Sequence, residues 1–300
     1  MTERFRVLIL GHGEMGHAMV HLLKGRQQVD IWEKYPQDNF QSVVLEDVTP
    51  RADVVLFCLP VNPHREVVQQ IAPLLKKTCL CLSIAKGLDE AGQTAAQIFS
   101  DVPGLHQPYS LLYGPMISEE IRADRYAFAQ LGCDAMDSYS RVRELFYGTR
   151  LYIEQTSDIT GISWSVVLKN VYALVFGMAD ELQLGDNMRG YLTVAALREL
   201  DQIVRHMGGK AGSPYHLAGL GDLITTATSE DSHHHELGRM LAREEVRGIE
   251  GEGIHTLKMV SQHRLFDTAD YPLFQLIHDI VRSPQNVHER INGYLKQVYS

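Results

Sequence analysis

The feature that most constrains this chain is the run Gly11-His12-Gly13-Glu14-Met15-Gly16, placed directly after RVLIL (6–10) and at the head of a helical stretch reaching about Leu23. Each glycine has a separate task in a strand–turn–helix unit. Gly11 allows the tight turn, Gly13 lets the backbone approach a pyrophosphate, and Gly16 lets the helix pack on the strand. The free amides and positive end of that helix then favour phosphate. The second strand, QVDIW (28–32), leads into Glu33, roughly 20 residues past the first glycine, where an acid accepts hydrogen bonds from adenosine ribose hydroxyls. This favours NAD. The cation of Lys34 next door argues for NADP, so both cofactors stay open. The cofactor-binding candidates are therefore Gly11, His12, Gly13, Glu14, Met15, Gly16, Glu33 and Lys34, with Pro60 at the end of the next strand run.

That next run is ADVVLFCLP (52–60), followed by a helix over about 63–75 and by TCLCLSIAKG (78–87); YAFAQLG (126–132) and RLYIEQT (150–156) read as further strands. Near-continuous apolar strands alternating with helices predict a parallel sheet covered on both faces. After about Ser157 the period changes. Residues 156–185 and 187–207 carry apolar positions at helical intervals, with Gly185 and Gly208-Gly209 as stops. The fold expected is α/β: a doubly wound Rossmann domain over 1–156 joined to an all-helical domain over 157–300.

Composition excludes several classes. With 37 acids against 28 bases the net charge is −9, which argues against a nucleic-acid partner. The N-terminal apolar run is too brief for a signal peptide, and no apolar stretch is expected to approach the roughly 20 residues that span a membrane. Cys58, Cys79, Cys81 and Cys133 read as core fillers in a reducing compartment, consistent with a cytoplasmic protein.

Specific strings extend this reading. Ser83-Ile84-Ala85-Lys86-Gly87-Leu88, Tyr113-Gly114-Pro115 with Glu120, VVLKNVYALVFGMADELQLGDN (166–187), Glu199, AGLGDLITTATS (218–229) and Ile249-Glu250-Gly251 occur in an order that resembles the NAD-dependent glycerol-3-phosphate dehydrogenases. The resemblance implies a helical substrate domain, a homodimer and hydride transfer between a nicotinamide and a small ketone or secondary alcohol. It assigns proton transfer to Lys169, with Lys86 as a neighbouring cation and Asp222 orienting the ammonium. Asn170 and Thr226 would bind substrate oxygens, and Glu250 would join the cofactor set. A lysine serving near neutrality needs burial or a nearby cation, and Lys169 sits among Val166, Val167, Leu168, Val171 and Ala173.

One stretch departs from the family. In DLITTATSEDSHHHELG (222–238) Ser232 stands where the family has the serine of Ser-Arg-Asn, but His233 replaces the arginine and His234 the asparagine. That arginine anchors the substrate phosphate, by a fork that histidine cannot copy. A family glutamate is also missing at Ser163, and an arginine near Ala195, although Arg189 and Arg198 lie close in sequence. His233 to His235 leave three readings: a metal site, which consecutive side chains serve poorly; a solvated loop; or a retuned substrate pocket, the one favoured here. A pocket of that last kind would bind more tightly below about pH 6.5 as imidazole gains charge. Dihydroxyacetone phosphate is thus the substrate implied by resemblance. A non-phosphorylated hydroxy or keto acid is the alternative, and a dinucleotide sensor without turnover is the reading from a different class.

Overall fold

The structure, a computed structural model, describes residues 4–36, 40–229 and 232–300. The chain divides into two compact units, Met1–Asp89 with Gln93–Ile159, and Glu90–Gly92 with Thr160–Ser300. In the first, strands β1 (Arg6–Leu10), β2 (Gln28–Trp32), β3 (Val54–Phe57), β4 (Leu80–Ser83), β5 (Tyr109–Tyr113), β6 (Ala127–Gly132) and β7 (Leu151–Thr156) form one sheet in the order β2-β1-β3-β4-β5-β6-β7. Helices α1 (Glu14–Leu23), α2 (Leu45–Val48), α3 (His64–Ile71), α4 (Ala95–Asp101), α5 (Ser118–Arg122) and α6 (Met136–Leu145) connect them. Every residue of VVLF in β3 and LCLS in β4 is buried, as a strand covered on both faces requires. The chain goes from β1 to β2 on one side and then crosses to β3 on the other. This leaves a crevice beyond the carboxyl ends of β1 and β3, the place where open α/β sheets bind ligands.

The doubly wound Rossmann expectation holds, with corrections of detail. Strand β5 was not anticipated, and β6 runs antiparallel to it while pairing in parallel with β7. The expected strands over 52–60 and 78–87 shrink to Val54–Phe57 and Leu80–Ser83. Their apolar flanks belong to the loops that leave the sheet. All four cysteines are free, with Cys79, Cys81 and Cys133 buried, and burial pushes their thiols upward.

The second unit is helical: α7 (Ile159–Glu181), α8 (Asp186–His206), α9 (Asp222–Thr228), α10 (His233–Ala242), α11 (Glu252–His263), α12 (Pro272–Arg282) and α13 (Val287–Tyr299). Helix α7 is buried without interruption from Gly161 to Ala179. Here the expectation about apolar runs needs correcting. This 23-residue helix is long and apolar enough to cross a membrane by length and composition, with a mean hydropathy of 1.4. Its apolarity has another cause, since 89% of its 18-residue apolar window is buried within the protein. Helices α7 and α10 touch through backbone. A Cβ on Gly177 would lie 2.0 Å from the His235 carbonyl oxygen, and one on Gly238 would lie 2.1 Å from that of Leu174. Only glycine permits this approach, and it lays the three histidines alongside the central helix.

Candidate active site

The glycine turn has the geometry its sequence asks for. Gly11 has φ +99°, and a side chain there would press on the Cys58 carbonyl at 3.0 Å. A Cβ at Gly16 would sit 2.2 Å from the Gly11 carbonyl oxygen, so α1 can begin this close to β1 only with glycine. Beside Gly13 nothing lies within 4 Å, which leaves room for a ligand at the amino end of α1. The first turn also carries Glu14, held by Arg122 on α5 at 2.9 Å. Met15 is half-buried and packs against the core. His12 stacks on Phe40 with ring centroids 4.3 Å apart, and its backbone amide donates to Glu33 Oε2 at 2.8 Å. The Glu33 carboxylate thus ties the end of β2 to the turn and still has lone pairs for other donors. Lys34 is committed elsewhere: its Nζ donates to both oxygens of Glu66 at 2.9 Å, and that bond raises its pKa.

A histidine that the sequence reading passed over joins two loops at this end of the sheet. His64 is fully buried in α3, and its Nδ1 lies 2.8 Å from the Pro60 carbonyl oxygen, which can only accept. Nε2 is then the acceptor for the Ser83 hydroxyl at 3.0 Å, and Ser83 Oγ accepts from the Ala85 amide at 3.2 Å. Burial holds this imidazole neutral, with its pKa pushed down to about 4. The chain Pro60–His64–Ser83–Ala85 therefore fixes the loop after β3 against the loop that carries Lys86. Lys86 itself donates to the Gly114 carbonyl at 3.2 Å.

In the helical unit, three residues picked from the sequence meet. Lys169 on α7 is 4% exposed; its Nζ donates to Thr226 Oγ1 at 2.6 Å and lies 3.1 Å from Asp222 Oδ1. Thr226 passes its own hydroxyl hydrogen to the Asp222 carbonyl at 2.7 Å. Asp222 opens α9 straight after a π-helical turn over Leu217–Gly221, a geometry that recurs at functional sites. That turn forms because Gly219 crosses the Pro214 carbonyl, 2.1 Å from where a Cβ would be. Asn170, the next residue on α7, is buried, and its side-chain oxygen has no hydrogen-bond partner among the described residues. A buried orphan acceptor costs about 1–3 kcal/mol, so such groups are kept where a ligand can supply the donor.

The three histidines divide their work. Ser232 caps α10 by accepting from the His235 amide at 3.3 Å. His233 Nε2 lies 2.8 Å from the Glu250 carbonyl oxygen and so donates to it. His234 Nε2 accepts from the Gly253 amide at 3.3 Å, while Gly253 packs against the Asn170 carbonyl. His235 points the other way, 2.7 Å from Asp180 Oδ2, and Arg189 meets the second oxygen of Asp180 at 2.7 Å. His233 and His234 thus fasten the start of α10 to the segment before and at the start of α11, and His235 fastens it to α7. Glu252, in that same segment, has its carboxyl pushed up to about 7 by burial. Among the described residues, no group of three or more His, Cys, Asp or Glu side chains could hold a metal.

A glycine-cradled crevice at the strand ends and a helical unit with a buried lysine on its central helix define the Rossmann class of two-unit nucleotide-binding proteins. The comparisons narrow this. The NAD-dependent glycerol-3-phosphate dehydrogenase N-terminus family matches residues 34–138, and the corresponding C-terminus family matches 158–292. The chain belongs to the NAD-dependent glycerol-3-phosphate dehydrogenase family. It is 25% identical over 319 residues to a glycerol-3-phosphate dehydrogenase [NAD(P)+] of Nitratidesulfovibrio vulgaris, covering 95% of this chain and 96% of that one. A relative of the same name from Gloeobacter violaceus is 27% identical over 277 residues, covering 89% of each. Among solved structures, glycerol-3-phosphate dehydrogenase of Coxiella burnetii superposes with a TM-score of 0.83 at 22% identity, covering 97% of this chain and 99% of that one. A ketopantoate reductase from Ralstonia eutropha shares the fold at a TM-score of 0.58 and 16% identity.

Proposed function

We propose that this chain is an NAD(P)-dependent dehydrogenase acting on the CH–OH group of a small molecule, with glycerol 3-phosphate and dihydroxyacetone phosphate as the substrate pair. The observation that carries the reading is the buried Lys169–Asp222–Thr226 cluster in a chain of this family. The 1–156 segment would hold the cofactor and the 157–300 segment the substrate. The turn fits a dinucleotide, because open space adjoins Gly13 while Gly11 and Gly16 bring backbone close to the ends of β1 and β3. Gly11 to Gly16, Glu33 and Pro60 would hold it; once bound, the nicotinamide supplies or accepts the hydride. NAD is favoured over NADP because Glu33 stands at the end of β2 and Glu66 neutralises Lys34.

The chain's own residues manage the proton. The Lys169 ammonium gives a proton to the ketone oxygen on reduction and takes it back on oxidation. Asp222 and the Thr226 hydroxyl fix where Nζ points. The orphan oxygen of Asn170 receives a substrate hydroxyl. The free cysteines fit a reducing compartment, and we place the protein in the cytoplasm as a homodimer.

A second reading, a non-phosphorylated hydroxy or keto acid as substrate, draws on one observation. His233 stands at the arginine position, and its Nε2–H is already given to the Glu250 carbonyl. A panel of ketones assayed with NADH, each with and without its phosphate, separates the two. Highest kcat/KM for dihydroxyacetone phosphate supports the first reading; a phosphate-free keto acid ahead of it overturns that reading in favour of the second.

A further inference from the structure

At the glycine turn two histidines lie against each other. The His12 ring packs on Phe40 and on His17 of α1, and the two imidazole centroids are 3.9 Å apart with their planes at 33°. His12 is half-buried and His17 exposed. Among the described residues neither imidazole has a hydrogen-bond partner. Other histidines of this unit are tied down: His21 to Asp124 at 3.0 Å, and His64 to Pro60 and Ser83. The pair stands beside the acid that marks the ribose end of a dinucleotide site. The His12 amide donates to Glu33 Oε2 at 2.8 Å and the Tyr35 amide to Oε1 at 3.2 Å, so both carboxylate oxygens already accept from backbone. Amide dipoles aimed this way offset part of the charge with which Glu33 would repel a ribose 2′-phosphate.

The other charges around the pair are already matched. Glu14 on the same helix is held by Arg122 of α5, His21 by Asp124, and Lys34 by Glu66 of α3. Burial, and after it the neighbouring His17, holds the His12 pKa below the usual imidazole range, although Glu33 opposes both. A dianion beside the pair tips this balance, because an imidazolium then gains a counter-ion. We propose that His12 and His17 recognise the adenosine 2′-phosphate by protonation, staying neutral with NAD(H) and taking up a proton when NADP(H) binds. The proposal rests on the dinucleotide reading of the glycine turn. The preference for NAD that Glu33 sets then holds at neutral and alkaline pH and narrows on acidification. A site that gains a proton with its ligand binds that ligand more tightly as the pH falls, down to the pKa of the ligand-free pair. A fixed cation gives the opposite proton signal, since a phosphate monoester with a second pKa of about 6 releases protons on meeting one.

The test is isothermal titration calorimetry of NADPH and NADH into the full chain without substrate, in buffers of different ionisation enthalpy. The two cofactors share the pyrophosphate, so the ratio of their dissociation constants isolates the 2′-phosphate. NADPH should take up roughly half a proton more than NADH near pH 7, and Kd(NADPH)/Kd(NADH) should fall roughly threefold to tenfold from pH 8.0 to 6.5. His12→Gln and His17→Gln should each flatten that fall to about twofold or less, in a ratio from which any general weakening of the turn cancels. His17→Lys, at an exposed position, should favour NADPH at both pH values and abolish the extra uptake, which a merely structural role for the ring would not produce. Equal uptake for the two dinucleotides, a wild-type ratio that does not move with pH, or an unchanged slope in both glutamine variants would overturn the proposal and leave the cofactor site standing. Binding of neither dinucleotide would overturn the reading of the turn itself, and this inference with it.

Discussion

Two regions of the helical unit treat the family pattern in opposite ways. The Lys169–Asp222–Thr226 cluster keeps the residues that the family places there, with short bonds and almost no exposure. Less than a helix away in sequence, α10 has histidines in place of the arginine and asparagine, and these bond to backbone at Glu250 and Gly253. The difference shows that the buried cluster and the start of α10 can change independently. A buried ion pair must change as a unit, because removing one partner strands the other charge. A rim position can exchange a guanidinium for an imidazole if the new side chain finds a backbone partner nearby.

The sharpest way to break the comparison is to unbalance the buried pair. Lys169→Met should cost about 3–5 kcal/mol of stability in thermal melts by leaving the Asp222 carboxylate uncompensated, and adding Asp222→Asn should recover most of it. Equal melting points for single and double variants would mean that the pair is not coupled. The first unit supplies a second contrast, through its own buried histidine. His64 binds fewer protons in the folded state than in the unfolded one, so its effect appears on acidification. Stability should be complete above about pH 6.5 and fall by about 3 kcal/mol as the pH drops towards 4. Denaturant midpoints of wild type and His64→Gln across that range check this; a variant that loses stability as steeply would exonerate His64.

On the α10 side, His233→Arg restores the guanidinium. It should raise kcat/KM for a phosphorylated ketone by roughly tenfold to a hundredfold, mainly through KM, as a charge-assisted bidentate contact allows. No change would mean that position 233 serves only to fasten α10 to Glu250. The smallest effect is expected at the cofactor end. Glu66→Gln frees Lys34 from an exposed pair and should improve kcat/KM for NADPH over NADH by about fivefold or less.

The fold was legible where a local rule acts alone. The glycine turn, the buried runs of β1, β3 and β4 and the existence of the long helix α7 all follow from spacing and side-chain type. Strand β5 escaped because YSLLY is short and follows a proline, and the reversed direction of β6 leaves no trace in a five- or six-residue pattern. In the site, Lys169 is singled out by the family resemblance, and its apolar neighbours Val166, Val167, Leu168 and Val171 agree with a buried position. His64 could not be, since HREVVQQI reads as a polar surface helix and its partner Ser83 lies on another strand. The tasks of His233 and His234 depend on carbonyl and amide groups at Glu250 and Gly253, and backbone groups carry no sequence signal at such a distance.

The most direct test of the central claim is single-turnover oxidation of bound NADH by dihydroxyacetone phosphate in the Lys169→Met/Asp222→Asn protein, with cofactor binding followed in parallel by nicotinamide fluorescence. NADH should still bind as it does to wild type while its oxidation slows by about a hundredfold or more, the share that a positioned proton donor supplies. Oxidation within about threefold of the wild-type rate would contradict a proton-transferring role for Lys169.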